Sequence, residues 1–326
     1  VVVITGASAG LGRAIVREFA KNGADIGLIA RGRDGLEAAR REVEREGGRA
    51  LVLPCDVSDP KAVEEAADRV ERELGPIDIW VNNAFVGTFC EFTDLKPEEY
   101  KRVTDVTYHG QVWGARAALK HMKPRDRGVI ASVGSALAYR SIPLQAPYCG
   151  AKHAIRGFYG ALRCELLHGK SNIKVTEVHM PALNTPQFRW VLNKMPHKAQ
   201  PVPPIFEPEV GARAVYYAAH HPRREFYVGG SAVKAIVANK VAPDVLDHYL
   251  ANFGYESQMV AEPNPPDAPV NLWEPVPGDH GAHGVFDARS SGDSPQLWLD
   301  THRGLIALGV LGIGVIAGAI AAKRAA

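Results

Sequence analysis

The stretch that decides the fold is the first one, Val1-Val-Val-Ile-Thr5-Gly6-Ala-Ser-Ala-Gly10-Leu-Gly12. A β-branched apolar run, a glycine-rich turn and a helical pattern over residues 13–22 follow one another. This order predicts the strand, turn and helix start of a dinucleotide site, in which the helix N-terminus faces the pyrophosphate. Glycines alone would fit a simple tight turn equally well, but the strand before them and the helix after them favour the dinucleotide site.

The middle of the chain carries a second group of chemically active residues. Tyr148 and Lys152 are four residues apart, so a helix would place them on one face, where an ammonium favours the ionised phenol. Ser135 follows an apolar run over residues 128–133 and can meet the tyrosine at the carboxyl edge of a parallel sheet. A tyrosine–lysine pair by itself recurs on solvated helix faces, but with Ser135 it predicts acid–base chemistry.

The rest of the pattern predicts an α/β fold with a doubly wound parallel sheet of the Rossmann type. Strands are expected at residues 25–30, 50–54, 77–81, 128–132, 173–178 and 225–228. Helices are expected at residues 33–47, 60–74, 97–122 and 147–168, and two more helical patterns lie within residues 233–253. A catalytic domain is therefore predicted over residues 1–253.

At this point the chain resembles the short-chain dehydrogenase/reductase family, from its first residue to about Gly230. Six pieces match in the family's order: residues 5–12, Asp56-Val57, Asn82-Asn83-Ala84, Ser135, Tyr148-x-x-x-Lys152 and residues 181–185. The resemblance implies a catalytic set of Ser135, Tyr148 and Lys152. It further implies a cofactor site made of Thr5, Gly6, Ser8, Gly10, Leu11, Gly12, Asp56, Val57, Asn83, Ala84, Tyr148, Lys152, Pro181 and Thr185.

Within that set the resemblance assigns particular places to several residues. Asp56 and Val57 would border the adenine, Asn83 the adenosine side and Thr185 the nicotinamide carboxamide. Tyr148 would act as proton donor in the reductive direction and Ser135 would hydrogen-bond the substrate oxygen. Lys152 would lower the tyrosine pKa and hold the nicotinamide ribose.

Two positions depart from the family's pattern. Phe85 stands where the family usually has glycine, which puts a large ring beside the expected nicotinamide pocket, where it can narrow or line the substrate site. Thr107 stands at the position of the family's catalytic asparagine. That position holds a water near the lysine partly through backbone geometry, so a threonine leaves a proton relay open.

The end of the second strand indicates the cofactor. Ala30 occupies the place where an acidic residue would bind a ribose 2′-hydroxyl, and Arg31 follows it directly. An arginine can pair with a 2′-phosphate, so the sequence favours NADP over NAD. The alternative is that Arg31 and Arg33 merely solvate a loop.

The composition of the chain bears on its partners, its redox compartment and metal binding. The formal net charge of +2 over 326 residues gives no reason to expect a nucleic acid. The four cysteines are scattered without a Cys-x-x-Cys pair, which favours a reducing compartment without disulfides. His280 and His283 lie in a proline- and glycine-rich tract without further ligands, so no metal site is predicted.

The alternation of strands and helices breaks off over residues 186–207. The family carries its substrate lobe here, and Phe188 and Trp190, together with Phe85, are the candidate substrate contacts. They predict a hydrophobic wall for a lipophilic substrate. A short helix packed into the core would explain the same apolar residues.

Beyond residue 253 the sequence predicts two appendages. Residues 254–303 are rich in proline and glycine and are expected to form a linker with few apolar contacts. Residues 304–322 contain no charge and are followed by Lys323-Arg324, which predicts a C-terminal transmembrane helix. A buried core helix or an arm swapped in an oligomer is the alternative.

These observations predict an NADP(H)-dependent oxidoreductase that interconverts a carbonyl and an alcohol, with a small lipophilic substrate. The terminal helix would anchor it in a membrane with the catalytic domain facing the cytoplasm. The family often pairs subunits through its long helices, so the resemblance implies a homo-oligomer. The alternative function is a membrane-tethered NADP-binding sensor or scaffold without turnover.

Overall fold

The computed structural model describes residues 1–303 and shows a parallel sheet with helices on both faces. Seven strands form this sheet: β1 Val2–Thr5, β2 Ile26–Ala30, β3 Ala50–Pro54, β4 Ile79–Asn82, β6 Val129–Ser135, β7 Lys174–Met180 and β11 Glu225–Tyr227. Among the described residues six further strands lie outside it: β5 Thr88–Phe89, β8 Leu192–Asn193, β9 His197–Ala199, β10 Ile205–Phe206, β12 Met259–Pro263 and β13 Ser290–Ser291. The predicted Rossmann-type α/β fold is confirmed.

The strand order in the main sheet is β3-β2-β1-β4-β6-β7-β11, and all neighbours are parallel. From β1 the strands follow one another through β2 to β3 at one edge of the sheet. The chain then crosses back to β4, which pairs with the other side of β1, so the direction in which strands are added reverses between β1 and β4. Crossover connections at such a reversal diverge to opposite faces and leave a crevice at the carboxyl ends of the two strands. The functional cleft lies there.

Ten helices flank the sheet or extend it within the described residues: α1 Gly10–Lys21, α2 Arg33–Arg45, α3 Pro60–Glu73, α4 Pro97–Thr104, α5 Gly110–Met122, α6 Ala146–His168, α7 Pro208–His220, α8 Gly230–Val241, α9 Pro243–Phe253 and α10 Pro295–Thr301. Strands such as β1 are buried along their whole length and read as continuous apolar runs, as expected for a sheet covered on both faces. Local signals set the helix starts: Asp59 accepts the N–H groups of Lys61 and Ala62, and Pro60 occupies the first turn of α3.

The long helix predicted over residues 97–122 contains one irregular turn. The chain is helical without a break from α4 to α5, and a π-helical turn, Asp105–His109, joins the two. Within this turn the Thr107 hydroxyl bonds the backbone of Val86 on a neighbouring segment. Such π turns are frequent at functional sites.

The segment predicted as a linker is not an isolated tether. Residues 254–303 contain β12, which pairs antiparallel with β9, and β13, which pairs with β10. Leu272, Ala282, Phe286 and Leu297 are buried against the catalytic domain. The expectation of few apolar contacts is therefore wrong, because distant surfaces supply partners that the local composition does not reveal.

The predicted transmembrane helix, residues 304–322, lies outside the described residues. Among residues 1–303 we find no helix that combines the length and the apolar character needed to span a bilayer.

Candidate active site

The turn between β1 and α1 is tied to the end of β4. The Thr5 hydroxyl accepts the backbone N–H groups of Asn83 (2.9 Å) and Ala84 (3.1 Å), and the Asn83 amide donates to the Thr5 carbonyl (2.9 Å). Gly6 adopts φ +69°, and a Cβ there would lie 2.8 Å from the Asn83 amide nitrogen. A Cβ on Gly12 would lie 2.0 Å from the Gly6 carbonyl oxygen. Only glycine fits these two positions.

A cleft of about 520 Å³ runs from this turn along the carboxyl edge of the sheet to residues 186–207. Most of the predicted site residues line it: Gly6, Ser8, Gly10, Leu11, Gly12, Arg31, Asp56, Val57, Asn83, Ala84, Phe85, Ser135, Tyr148, Lys152, Pro181, Thr185, Phe188 and Trp190. Thr5 and Thr107 are buried beneath its wall. The backbone cradle and the N-terminus of α1 at one end fit a dinucleotide.

The three predicted catalytic residues lie together in this cleft. Ser135 ends β6, and its hydroxyl accepts the Leu137 N–H (3.1 Å). Tyr148 lies in the first turn of α6 and Lys152 one turn later. Burial raises the pKa of the Tyr148 phenol, and the neighbouring Ser135 hydroxyl only partly offsets this. The phenol is therefore a proton carrier in its neutral form.

Lys152 is 1% exposed, and its ammonium donates to the Val133 carbonyl (2.8 Å). Its Nζ lies 5.5 Å from the Tyr148 ring centre and 5.7 Å from that of Phe85. Burial lowers the pKa of Lys152 to about 7. The sequence argument expected Lys152 to favour the phenolate, but in this structure desolvation governs both groups and pushes each toward its neutral form.

Thr107 connects two segments below the site. Its hydroxyl donates to the Val86 carbonyl (2.9 Å) and accepts the Val86 N–H (3.2 Å), and the side chain is fully buried. The hydroxyl thus spends its only donor and one of its two acceptor lone pairs on Val86. The side chain ties the π turn to the segment that follows β4.

The end of the cleft predicted to border the adenosine contains charged groups. Asp56 accepts hydrogen bonds from Arg102 (2.5 Å) and from Ser58. Burial works to raise the pKa of Asp56, but these bonds outweigh it and hold the pKa below its ordinary value. Arg31 donates to three backbone carbonyls of residues 271–273. The predicted phosphate-binding arginine is thus engaged by the C-terminal segment.

The three predicted substrate residues lie at the other end. The Phe85 and Tyr148 rings are 5.6 Å apart, so the departure from glycine does place a ring beside the tyrosine. Phe188 packs against Phe89 (6.2 Å between ring centres). Trp190 is 9% exposed and contacts the C-terminal segment through His280. The predicted lobe contains a short 3₁₀ helix, Pro186–Arg189, followed by β8 and β9, where the alternative expected a core helix.

Several residues that line the cleft escaped prediction. One group comes from the loop after β6 and from α9, namely Ile142, Gln145, Leu246, Tyr249 and Leu250. A second group comes from the C-terminal segment, namely Asn271, Pro275, Val276, Gly278 and His280. No motif marks either group. The apolar pair Leu272-Trp273 inside a polar tract is the one available signal, and of the two only Leu272 is buried.

The chain matches the family model described as short chain dehydrogenase over residues 1–195. It belongs to the short-chain dehydrogenase family. The uncharacterized oxidoreductase YxnA of Bacillus subtilis is 32% identical over 284 residues, which cover 86% of this chain and 79% of that protein. A fatty acyl-CoA reductase of Acinetobacter baylyi is 28% identical over 263 residues, 78% of this chain and 84% of that protein.

Among solved structures, a short chain dehydrogenase from Mycobacterium paratuberculosis bound to NAD is similar, with a TM-score of 0.61 and 26% identity. The match covers 70% of this chain and 95% of that one. As a short-chain dehydrogenase, the protein is an oxidoreductase that uses a nicotinamide dinucleotide. The described residues contain no group of three or more His, Cys, Asp or Glu side chains that could hold a metal ion.

Proposed function

We propose that this short-chain dehydrogenase interconverts a carbonyl and an alcohol on a lipophilic substrate with NADP(H) as its cofactor. The observation that carries the proposal is that Ser135, Tyr148 and Lys152 line one cleft together, at the junction of the dinucleotide cradle and an apolar chamber. A carbonyl oxygen in that chamber would meet two hydroxyl donors.

In the reductive direction Tyr148 donates its phenolic proton to the substrate oxygen and Ser135 holds that oxygen by a hydrogen bond. A nicotinamide bound in the cradle would supply the hydride in reduction and accept it in oxidation. The raised pKa of the Tyr148 phenol keeps its proton in place until an oxygen carrying developing charge takes it. Lys152, fixed by the Val133 carbonyl, would hold the nicotinamide ribose.

A lipophilic substrate fits the walls of the chamber. Phe85, Phe188, Ile142, Leu246 and Leu250 line it, and apolar linings of this kind bind hydrocarbon by burial and not by hydrogen bonds. The fatty acyl-CoA reductase among the relatives bears a name that implies a long acyl chain, which supports the same substrate class here.

NADP is the cofactor we infer from the end of β2. Ala30 is buried and supplies no carboxylate to repel a 2′-phosphate. An arginine carries five N–H donors, so the three bonds from Arg31 to residues 271–273 leave two donors for phosphate oxygens.

We further propose that residues 304–322 anchor the protein in a membrane as a single span, with the catalytic domain on the cytoplasmic side, where NADPH is found. Nineteen uncharged residues approach the ~20 needed to cross the hydrocarbon core. A lipophilic substrate dissolved in that membrane would then be close to the chamber. A homo-oligomer is proposed from the family's habit alone.

The test is Tyr148→Phe in the full chain. We expect NADPH binding to persist and turnover to fall by about 10²- to 10⁴-fold, as for loss of a general acid. Tyr216→Phe, on α7 and outside the cleft, is the matched control. Activity should be screened with long-chain aldehydes, ketones and alcohols against short-chain analogues. Equal turnover in Tyr148→Phe and the control would refute the mechanism, and a preference for short chains would refute the substrate class.

The second candidate function, a tethered sensor or scaffold without turnover, keeps one observation in its favour. The Thr107 hydroxyl donates its only proton to the Val86 carbonyl, so its side chain cannot donate a hydrogen bond to a relay water. Tight NADPH binding combined with no oxidation or reduction of any member of the panel would favour this function.

A further inference from the structure

The C-terminal segment over residues 271–284, here called the strap, runs along the opening of the dinucleotide half of the cleft. Asn271, Pro275, Val276, Gly278 and His280 contribute to the lining of the cleft. The strap is held at both ends by buried residues, because Leu272 is 0% exposed and Ala282 is 2% exposed. It therefore forms a wall of the site and does not float above it.

Two arginines hold the first part of the strap. Arg31 donates to the carbonyls of Asn271 (2.5 Å), Leu272 (3.4 Å) and Trp273 (2.6 Å). Arg102 donates to the Leu272 carbonyl (3.0 Å) while its other nitrogens bind Asp56 and Ser58. The backbone of Leu272 is thus clamped between the two arginines at the adenosine end of the cleft.

The second part of the strap is attached to the glycine turn and to the starts of α1 and α2. The Gly10 N–H donates to the Gly281 carbonyl (2.9 Å). Asp279 pairs with the buried Arg13 on α1 (3.1 Å). Asp34 on α2 accepts the Gly278 N–H (3.0 Å). These bonds anchor the strap on the pyrophosphate side as firmly as on the adenosine side.

The middle of the strap meets the loop after β2. A Cβ built on Gly32 would lie 3.3 Å from the Pro275 Cβ, so the strap passes close to this loop. The strap therefore spans the cleft from the arginine clamp to the glycine turn. A dinucleotide in this half of the cleft would lie against the strap, whose residues contribute to the lining.

We propose that the strap is a positioning element of the cofactor site, which orients Arg31 and must detach before the dinucleotide can leave. Three of the five Arg31 donors are spent on strap carbonyls, so the direction of the remaining two is set by the strap. The proposal rests on dinucleotide binding, which the family provides, and is independent of the substrate.

The first test measures cofactor release from the full chain. NADPH is loaded, excess NADP⁺ is added as a trap, and the loss of bound NADPH fluorescence gives the dissociation rate. Leu272→Ala removes the buried side chain that docks the strap and should speed release by about tenfold or more. Val270→Ala, next to the strap but 40% exposed, is the matched control and should release within about twofold of the unmutated protein.

Leu272→Met keeps the buried volume, so NADPH release should be as slow as from the unmutated protein. If loss of the leucine itself were the cause, Leu272→Met would release NADPH as fast as Leu272→Ala. A release rate of Leu272→Ala equal to that of the control overturns the proposal. If the unmutated chain binds neither NADPH nor NADH, this proposal and the proposed function are both overturned. If Leu272→Ala shows unchanged release and turnover is intact, the strap proposal alone is overturned.

A second test links the strap covalently to the loop after β2. It keeps the proposal testable if Leu272→Ala does not fold. Gly32 has an ordinary backbone conformation (φ −79°), so the pair Gly32→Cys and Pro275→Cys can be introduced, and its Cβ separation suits a disulfide after slight relaxation. Oxidation of the NADPH-loaded variant should slow release by about tenfold or more, and dithiothreitol should reverse the effect. The unmutated chain under the same oxidant is the control, since Cys164 is exposed. Equal release from the oxidised and reduced forms overturns the proposal.

Discussion

The burial of Lys152 allows a quantitative prediction about the free energy of unfolding. Its side chain is 1% exposed, its Nζ contacts the Val133 carbonyl, and burial lowers its pKa from 10.5 to about 7. Protonating this amine therefore costs up to about 5 kcal/mol more in the folded protein than in the unfolded chain. Lys152→Met removes the titrating group while it keeps most of the apolar stem.

The sign of the pH effect follows from the two protonation states. Between about pH 7 and pH 10.5 the unfolded chain holds a proton at Lys152 that the folded chain has released. Raising the pH through this window therefore stabilises the folded protein, and below about pH 7 the full cost of burying the charge applies. The variant escapes this cost but loses the bond to Val133, which contributes about 1.5–3 kcal/mol when the donor is charged.

We expect cofactor-free Lys152→Met to be more stable than the unmutated protein at pH 6, by about 2 kcal/mol or more. This advantage should shrink steadily between pH 7 and pH 10. Urea unfolding at four pH values across this range measures it, and Lys21→Met, at an exposed lysine, is the control. A difference between Lys152→Met and the unmutated protein that stays constant with pH would refute the assignment of Lys152 as a largely neutral amine in the empty site.

Four further predictions concern the cofactor site, its supports and the C-terminal residues. Arg31→Ala should weaken NADPH by about 1.5–3 kcal/mol more than NADH in fluorescence titrations, and a loss common to both would report its contacts with the strap. Thr107→Ala should lower the free energy of unfolding by about 1–3 kcal/mol because it leaves the Val86 N–H and carbonyl without a hydrogen-bond partner. Thr107→Ser keeps the hydroxyl and should have a free energy of unfolding closer to that of the unmutated protein. Equal losses of stability in the two variants would contradict this role of Thr107. A chain ending at residue 303 should leave the membrane fraction that the full chain occupies and still bind NADPH. A chain ending at residue 290 should be less stable by about 2–5 kcal/mol because it loses the buried Leu297, and equal urea midpoints for the two would contradict this account.

The core of the fold and the position of the chemistry follow from local sequence. The apolar run before Gly6 and the helical pattern after Gly12 determine β1, its turn and α1, because strand and helix periodicities are properties of neighbouring residues. The four-residue spacing of Tyr148 and Lys152 sets their common helix face in the same way. These parts were predictable because each depends on a few consecutive side chains.

Tertiary structure alone decided the other features. Neither the π turn at Asp105–His109 nor the neutral states favoured at Tyr148 and Lys152 can be read from spacing, since both depend on groups brought close by folding. The strap is the clearest case, because Arg31 meets its backbone partners about 240 positions away along the chain. The proline and glycine content of residues 254–303 indicates only local turns, whereas burial and hydrogen bonds to distant surfaces make part of this segment a wall of the cleft.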